Sequence, residues 1–546
     1  MLRGMSLRPL IAICGTTGVG KSKLAIELAL SLARDHEHHE HGYRGARIIN
    51  ADAMQVYAGM DLITNKVPVE DQCGVEHLLM GFKKPGEQYV VGQWVKDAMQ
   101  LIEETHNRNQ IPIVVGGTAY WIQHLIFPNR LASLEKTELT DERKSDTSSP
   151  APMSDQLRRA VNSLSPQSLR LYENIPKQLG SDDIDREEAF AMHSLLASLD
   201  PQVAQRWHWR DSRKVLRSLN VIKESGKLSS ELISEQSKVQ EQPRYRSLFF
   251  WLYAKPEALN PRLDARVDDM VQRGLLREVQ ELIDLAKEHR QQDATSLGTS
   301  SEKLESDSPH FDYTLGLYQS IGFKEFSQYL STPDPTPQMY SAALERMKLS
   351  TRQYAKRQVK WMQNKLLPAI YSVNSGEADE GRKMGVYLLD ATNLDAWKSN
   401  VQDVAERITH DFLANRPLPD PLSLSDSARQ LLSIPEKDVS PTAVLSARRK
   451  IICPTCTINE TEPVMIEEGT EWTRHVNSRT HKHMVRKAAR KAEWESWKEK
   501  RERGEISRER SDERELRSRR EGDASAGSVD VEDSISLLHD DGIAKG

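Results

Sequence analysis

The chain has 546 residues, a net charge of -5, and 38% hydrophobic against 28% charged residues. That length allows two or more domains with separate cores, and with no apolar run of eighteen residues it excludes a membrane-spanning helix. Four cysteines in so long a chain exclude a disulfide scaffold and fit a reducing compartment.

The opening stretch, MLRGMSLRP, is basic, free of acids and too short for a secretory signal. Met1 and Met5 are both candidate starts, so a mitochondrial or nuclear location stays open beside the cytoplasmic one expected. Pro9 to Cys14 reads as a short buried strand, and Lys23 to Ala33 as a helix with Leu24, Leu28 and Leu32 on one face. Between them Gly15, Thr16, Thr17, Gly18, Val19, Gly20, Lys21 and Ser22 spell GTTGVGKS, a complete G-x-x-x-x-G-K-[ST] phosphate loop in its strand–turn–helix setting. Backbone N–H groups and the positive end of the helix then surround a di- or triphosphate. Lys21 adds a mobile charge, and Ser22 a hydroxyl ligand for Mg2+.

The His-rich run His36 to Gly42 reads as a solvated loop insertion. Further strands are predicted at Arg47 to Ala51, ending in Asp52, and at Ile111 to Val115, ending in Gly116, Gly117 and Thr118. Residues 8–130 are thus expected to form an α/β core, a P-loop parallel sheet with helices on both faces. Residues 131–155 and 287–310, rich in Ser, Thr and charge, read as surface insertions. From 156 to 370 the pattern is mostly helical, and 156–415 is expected to hold a helical insertion subdomain and a return to the core, with a strand-like run at Met384 to Asp390. A Pro- and Ser-rich linker at 416–447, a small module at 448–490, a charged helix at 491–520 and a disordered acidic tail at 521–546 complete the chain.

Ligands of an open parallel sheet bind beyond the carboxyl ends of the strands. That rule brings Asp52, Thr118 and the phosphate loop to one cleft. By itself Asp52 fits two roles, a catalytic carboxylate or a Mg2+ ligand of an NTPase. In the C-terminal module Cys453-x-x-Cys456 precedes His475 and His481, a closed four-ligand set suited to structural Zn2+ in a C2H2-type finger, with His483 an alternative fourth ligand. Arg474, Arg479, Lys482, Arg486 and Lys487 around the second histidine suggest salt-dependent contacts to RNA phosphates.

Six dispersed segments narrow the reading: GTTGVGKS, DAMQVYAGMDLITNK (52–66), PIVVGGTAYWIQHL (112–125), DSRKVLRSLNV (211–221), QSIGFKEF (319–326) and RQYAKRQVKWMQN (352–364). Together, over roughly residues 10 to 370, they resemble the tRNA dimethylallyltransferase family, and the module at 448–490 resembles the zinc-finger extension of its eukaryotic members. Two departures stand out. Ala53 replaces the family's usual serine, and Tyr120 and Trp121 follow the Gly-Gly-Thr turn where many members have an aliphatic residue and then a tyrosine.

The resemblance implies transfer of the dimethylallyl group of dimethylallyl diphosphate to N6 of adenosine 37 in the tRNA anticodon loop, with release of diphosphate. It implies Asp52 as general base, Thr118 as its support and Arg217, one helical turn from Arg213, facing diphosphate or RNA. Asp52, Ala53, Met54, Gln55, Thr118, Arg213 and Arg357 would contact the tRNA, with Tyr57 lining the base pocket and Gln319, Lys324, Arg352 and Lys356 adding contacts to its backbone. The expected partners are the anticodon stem-loop and dimethylallyl diphosphate, with no membrane, on a monomer. Two other readings remain at this point: a phosphotransferase using ATP, and an RNA-binding protein with a relic phosphate loop.

Overall fold

In the computed structural model the described residues are 7–34, 41–128, 152–176, 186–238, 242–296, 316–375, 383–435, 445 and 449–503. They fall into two units, the first within Met1–Arg449 and the second within Lys450–Gly546. The HEHHEHG run up to residue 40, most of the stretch 131–155, residues 297–310 and the tail at 521–546 lie outside the described residues.

The first unit is built on a six-stranded parallel sheet: β1 (Pro9–Gly15), β2 (Ala46–Asn50), β3 (His77–Leu78), β4 (Ile111–Val115), β5 (Arg246–Tyr253) and β6 (Gly385–Asp390). Its order is β3-β2-β4-β1-β5-β6, which seats β1 centrally with Ile11 against Ile113 on one side and Leu248 on the other. Successive side chains point to opposite faces. Ile11, Ile13, Ile113, Leu248 and Phe250 therefore pack with α1 (Lys21–Ala33) and the helix Asp403–Leu413, while Leu10, Ala12, Val114, Phe249 and Trp251 pack with α2 (Val91–Asn107) and α3 (Ala119–Ile126). Both faces are covered by helices, as expected.

Strand β5 corrects the reading of 156–370 as mostly helical. A strand buried on both faces shows no polar alternation, only a continuous apolar run such as SLFFWLY, which periodicity cannot tell from a buried helix segment. Between β4 and β5 a group of short helices, Asp155–Asn162 through Ser212–Ser225, closes on a third apolar cluster that includes Leu196, Val215 and Leu219. This is the helical insertion.

The expected linker also changes. Residues 416–435 include a short helix at Asp426–Leu432 whose Ala428 and Leu432 are buried. Ser427 donates to Asp390 at the end of β6 (2.6 Å), and Tyr371 donates to the Leu432 carbonyl (2.9 Å). Two apolar residues four apart suffice to dock a helix, a signal too sparse to stand out in a Pro/Ser-rich stretch. The helix Leu275–Ser296 likewise runs into the expected insertion at 287.

In the second unit, β7 (Lys450–Ile452) and β8 (Met465–Glu467) form an antiparallel hairpin followed by helices Thr470–Val476 and Arg479–Glu502. The last helix crosses residue 490 unbroken, so the finger and the charged helix are not separate elements; residues 504–520 lie outside the described residues.

Candidate active site

β1 delivers the chain into the phosphate loop. Gly20 caps α1 at φ +89°, and a Cβ there would stand 2.6 Å from the Trp397 ring, so the turn needs glycine twice over. Lys21 is half-buried and donates to the Thr16 carbonyl at 2.7 Å. Burial pushes its ammonium down to about 8, against the pull of Asp52. The Thr16 hydroxyl is buried and has no hydrogen-bond partner among the described residues.

Asp52 stands just beyond β2. Asn50 fixes this turn, accepting from Asp52 N–H (3.0 Å) and donating to the Asp52 and Leu79 carbonyls (3.1 and 3.0 Å), while Trp94 donates to the Asn50 carbonyl (2.8 Å). One Asp52 carboxylate oxygen accepts from Met54 N–H at 3.0 Å. Burial raises the carboxyl above its ordinary range; the Met54 N–H and the charges of Lys21 and Arg266 oppose that rise.

The Gly-Gly-Thr turn after β4 meets both. A Cβ at Gly117 would lie 2.5 Å from Gln358 Nε2, 3.2 Å from Asp52 Oδ2 and 3.4 Å from the Tyr354 hydroxyl. Three side chains from two elements thus converge where only glycine leaves room. Gln358 donates to the Gly117 carbonyl (3.0 Å) and accepts from Thr17 N–H (2.8 Å), tying the turn to the phosphate loop. Thr118 accepts from Ala53 N–H at 3.1 Å, so its hydroxyl holds the backbone beside Asp52. The residue that lacks the family's hydroxyl is held here through its main chain.

Other expected residues are placed differently. Gln55 donates to the carbonyls of Thr64 (3.3 Å) and Asn65 (2.9 Å), bracing a loop; Met54 packs against the core, and Tyr57 is buried within it. Arg213 and Arg217 are exposed on helix Ser212–Ser225, whose apolar face belongs to the third cluster, and the structure does not bring them together with the phosphate loop. Arg357 is exposed, 6.0 Å from the Tyr354 ring centroid. Arg352, expected on RNA phosphates, is paired with Asp264. Besides Lys21, the cation whose charge acts on Asp52 is Arg266, in helix Pro256–Gln272, a position without a local sequence signal. Tyr354 and Gln358 were legible in principle, since their spacing of four puts both on one face of the long helix Pro337–Trp361.

In the second unit Cys453, Cys456, His475 and His481 bring one ligand atom each to within 4.8 Å of one another, a spread that fits a tetrahedral metal. His481 Nδ1 lies 3.5 and 3.3 Å from the two sulfurs and 3.1 Å from His475 Nε2. His483 is exposed and outside this group, which resolves the alternative in favour of His481.

A phosphate loop, a carboxylate and a glycine turn at the carboxyl edge of a parallel sheet form a cleft suited to a phosphorylated substrate beside a second one. A family model described as IPP transferase matches residues 55–365. The tRNA dimethylallyltransferase of Schizosaccharomyces pombe is 35% identical over 89% of this chain and 97% of its own, and that of Saccharomyces cerevisiae 33% identical over 90% and 95%. The Homo sapiens tRNA dimethylallyltransferase is 28% identical over 90% of this chain and 88% of its own. Among solved structures, a eukaryotic dimethylallyltransferase acting on tRNA is similar at a TM-score of 0.62 and 31% identity, over 90% of this chain and 100% of that one. The chain belongs to the tRNA dimethylallyltransferase family.

Proposed function

We propose that this enzyme transfers the dimethylallyl group from dimethylallyl diphosphate to N6 of adenosine 37 in the tRNA anticodon loop, forming N6-isopentenyladenosine and releasing diphosphate. The observation that carries the reading is the convergence of Asp52, Gln358 and Tyr354 on Gly117, beside a phosphate loop tethered to the same turn.

Cleavage of the C1–O bond leaves its electron pair on diphosphate, and the loop amides with Lys21 stabilise that charge as it develops. Mg2+, held by the Ser22 hydroxyl and the diphosphate itself, would add further charge neutralisation there. The exocyclic amine of adenine is a weak nucleophile because its lone pair is delocalised into the ring. Asp52 accepts a hydrogen bond from that amine, orients it towards C1 and takes its proton as the N6–C1 bond forms. Thr118 keeps the Ala53 backbone, and with it Asp52, in register with the glycine turn.

The target base must leave the stack to reach Asp52. Met54 and Gln55 shape the wall it enters, and Arg357 contacts the RNA backbone. Arg213 and Arg217, exposed on the insertion, reach the diphosphate or the RNA only in the complex. Zn2+ at Cys453, Cys456, His475 and His481 holds the finger together, and the basic residues around His481 add phosphate contacts. Among the described residues no helix is long and apolar enough to cross a membrane, and none of the four cysteines is in a disulfide. A monomer in the cytoplasm, or in another reducing compartment, is consistent with both.

The test supplies purified protein with dimethylallyl diphosphate, Mg2+ and an unmodified anticodon stem-loop, then measures pyrophosphate and prenylated adenosine after nuclease digestion. Both should appear in equal amounts. Conversion of ATP to ADP without prenyl transfer would replace this reading with a phosphotransferase.

A further inference from the structure

We propose that Trp397 is a positioning residue for the phosphate loop: its ring fixes the Gly20 backbone, where the loop turns into α1, so that the amides around Lys21 meet the diphosphate. The proposal rests on the prenyl-transfer reading above for the identity of that anion.

α1 begins without a side-chain cap. Gly20 is its N-cap residue, at φ +89° and ψ 24°, and no side chain accepts a hydrogen bond from the first turn. Capping side chains ordinarily fix where a helix starts by occupying its first N–H groups. In a phosphate loop those groups are kept for the anion, so the turn has to be held in another way. The Gly20 carbonyl accepts from Leu24 N–H at 3.0 Å, which makes this residue the first rung of the helix.

Trp397 supplies the hold from a distant part of the chain. It follows β6, the edge strand, and is 6% exposed, in the apolar cluster that contains Val19, Leu24 and Val401. The outer edge of its ring lies against Gly20: a Cβ there would come within 2.6 Å of Cη2 and 2.8 Å of Cζ3. At its other end the indole N–H donates to the two carboxylate oxygens of Glu27, at 2.9 and 3.1 Å. Lys23 stands 4.7 Å from the ring centroid and 3.9 Å from the Glu27 carboxylate. One rigid ring thus joins the loop's last glycine to two successive turns of α1.

Gly18 offers a contrast within the same loop. A Cβ there would meet Leu263 Cδ2 at 2.6 Å, the tip of an aliphatic side chain. Such a tip gives way to small movements, whereas an indole hydrogen-bonded at its far end does not. The distinction matters because small displacements of the loop amides remove the stabilisation of the leaving diphosphate. The contacts of Trp397 fall on the loop and α1, so its effect should fall on the diphosphate and not on the RNA.

The experiment uses the full chain and two variants. Trp397→Phe keeps a ring against Gly20 but loses the indole N–H, and Trp397→Leu loses both; thermal melting shows whether each is folded. Calorimetry with Mg2+ and inorganic pyrophosphate should give a dissociation constant about tenfold higher for Trp397→Leu, with a smaller rise for Trp397→Phe. KM for dimethylallyl diphosphate should follow the same order, while the dissociation constant for the stem-loop stays within about twofold. The ring also reports directly: the emission difference between wild type and Trp397→Phe should change when pyrophosphate binds. Unchanged pyrophosphate affinity in folded Trp397→Leu overturns the proposal, as does equal weakening of pyrophosphate and stem-loop binding with lowered melting in both variants. Should Trp397→Leu fail to fold, either wild-type pyrophosphate affinity in Trp397→Phe or an unresponsive emission difference overturns it. If wild-type protein forms no prenylated adenosine, the prenyl-transfer reading fails separately, and the pyrophosphate measurements still decide the positioning role.

Discussion

Gln358 joins the phosphate loop to the Gly-Gly-Thr turn: its Nε2 donates to the Gly117 carbonyl at 3.0 Å while its Oε1 accepts from Thr17 N–H at 2.8 Å. One amide from the long helix thus holds the phosphate loop and the Gly-Gly-Thr turn at a fixed separation. An aligned attack depends on that separation, because small displacements of reacting groups cost large factors in rate.

Gly117→Ala would drive a methyl into Gln358 at 2.5 Å and crowd Asp52 at 3.2 Å. Steady-state kinetics should show kcat lower by roughly a hundredfold with little change in melting temperature. Gly116→Ala should behave oppositely. Its Cβ would meet the Ala51 carbonyl at 2.1 Å, main chain that cannot rotate away, so poor folding should precede any kinetic effect. Similar melting temperatures for the two variants would contradict this division.

Asp52→Ala should lose roughly a hundredfold or more in kcat while retaining stem-loop affinity. The pH dependence has a definite sign. Burial places the Asp52 carboxyl above its ordinary range, so activity falls as pH drops through that raised value. Because the folded carboxyl binds a proton more readily than the unfolded one, its contribution to stability declines as pH rises through that window. Asp52→Asn should therefore melt higher than wild type at pH 7, and a lower melting point would show that Asp52 contributes net stability.

Lys21 carries its proton only up to about pH 8, because burial outweighs the attraction of Asp52. Above that value the loop loses a charge, so kcat/KM for dimethylallyl diphosphate should descend on the alkaline side. Lys21→Ala should abolish that limb and lower kcat/KM at pH 7 by about a hundredfold or more. An unchanged alkaline limb in this variant would assign it to another group.

Removing the metal addresses the second unit. A chelator, or Cys453→Ser, should release one zinc per chain, measured by atomic absorption. It should also unfold the hairpin around Cys453 while the first unit keeps its melting transition. Stem-loop affinity should weaken about tenfold at physiological salt, with a shallower salt dependence and little change in kcat at saturating RNA. Retained affinity after metal loss would remove the finger from RNA binding.

How much of this was legible before folding depends on how local each signal is. The phosphate loop, the Asp52 turn, the Gly-Gly-Thr turn and the Cys/His quartet are short-range patterns, in which a few neighbouring residues dictate the backbone. Each could be read from the chain, and a general rule for parallel sheets placed the first three in one cleft. Strand β5 was hidden because burial on both faces erases the alternation that marks a strand. The docked helix at Asp426–Leu432 rests on two buried apolar residues.

Partnership was settled only in three dimensions. Arg352 and Arg266 look alike in the chain, yet one is neutralised by Asp264 and the other faces the phosphate loop. Thr118 turned out to hold a backbone N–H, and Arg213 and Arg217 ended on a different cluster from the loop. Sequence determines which groups exist and which local turns they form. Only tertiary packing, by choosing which charges are desolvated and which find a counter-ion, decides where their chemistry is available.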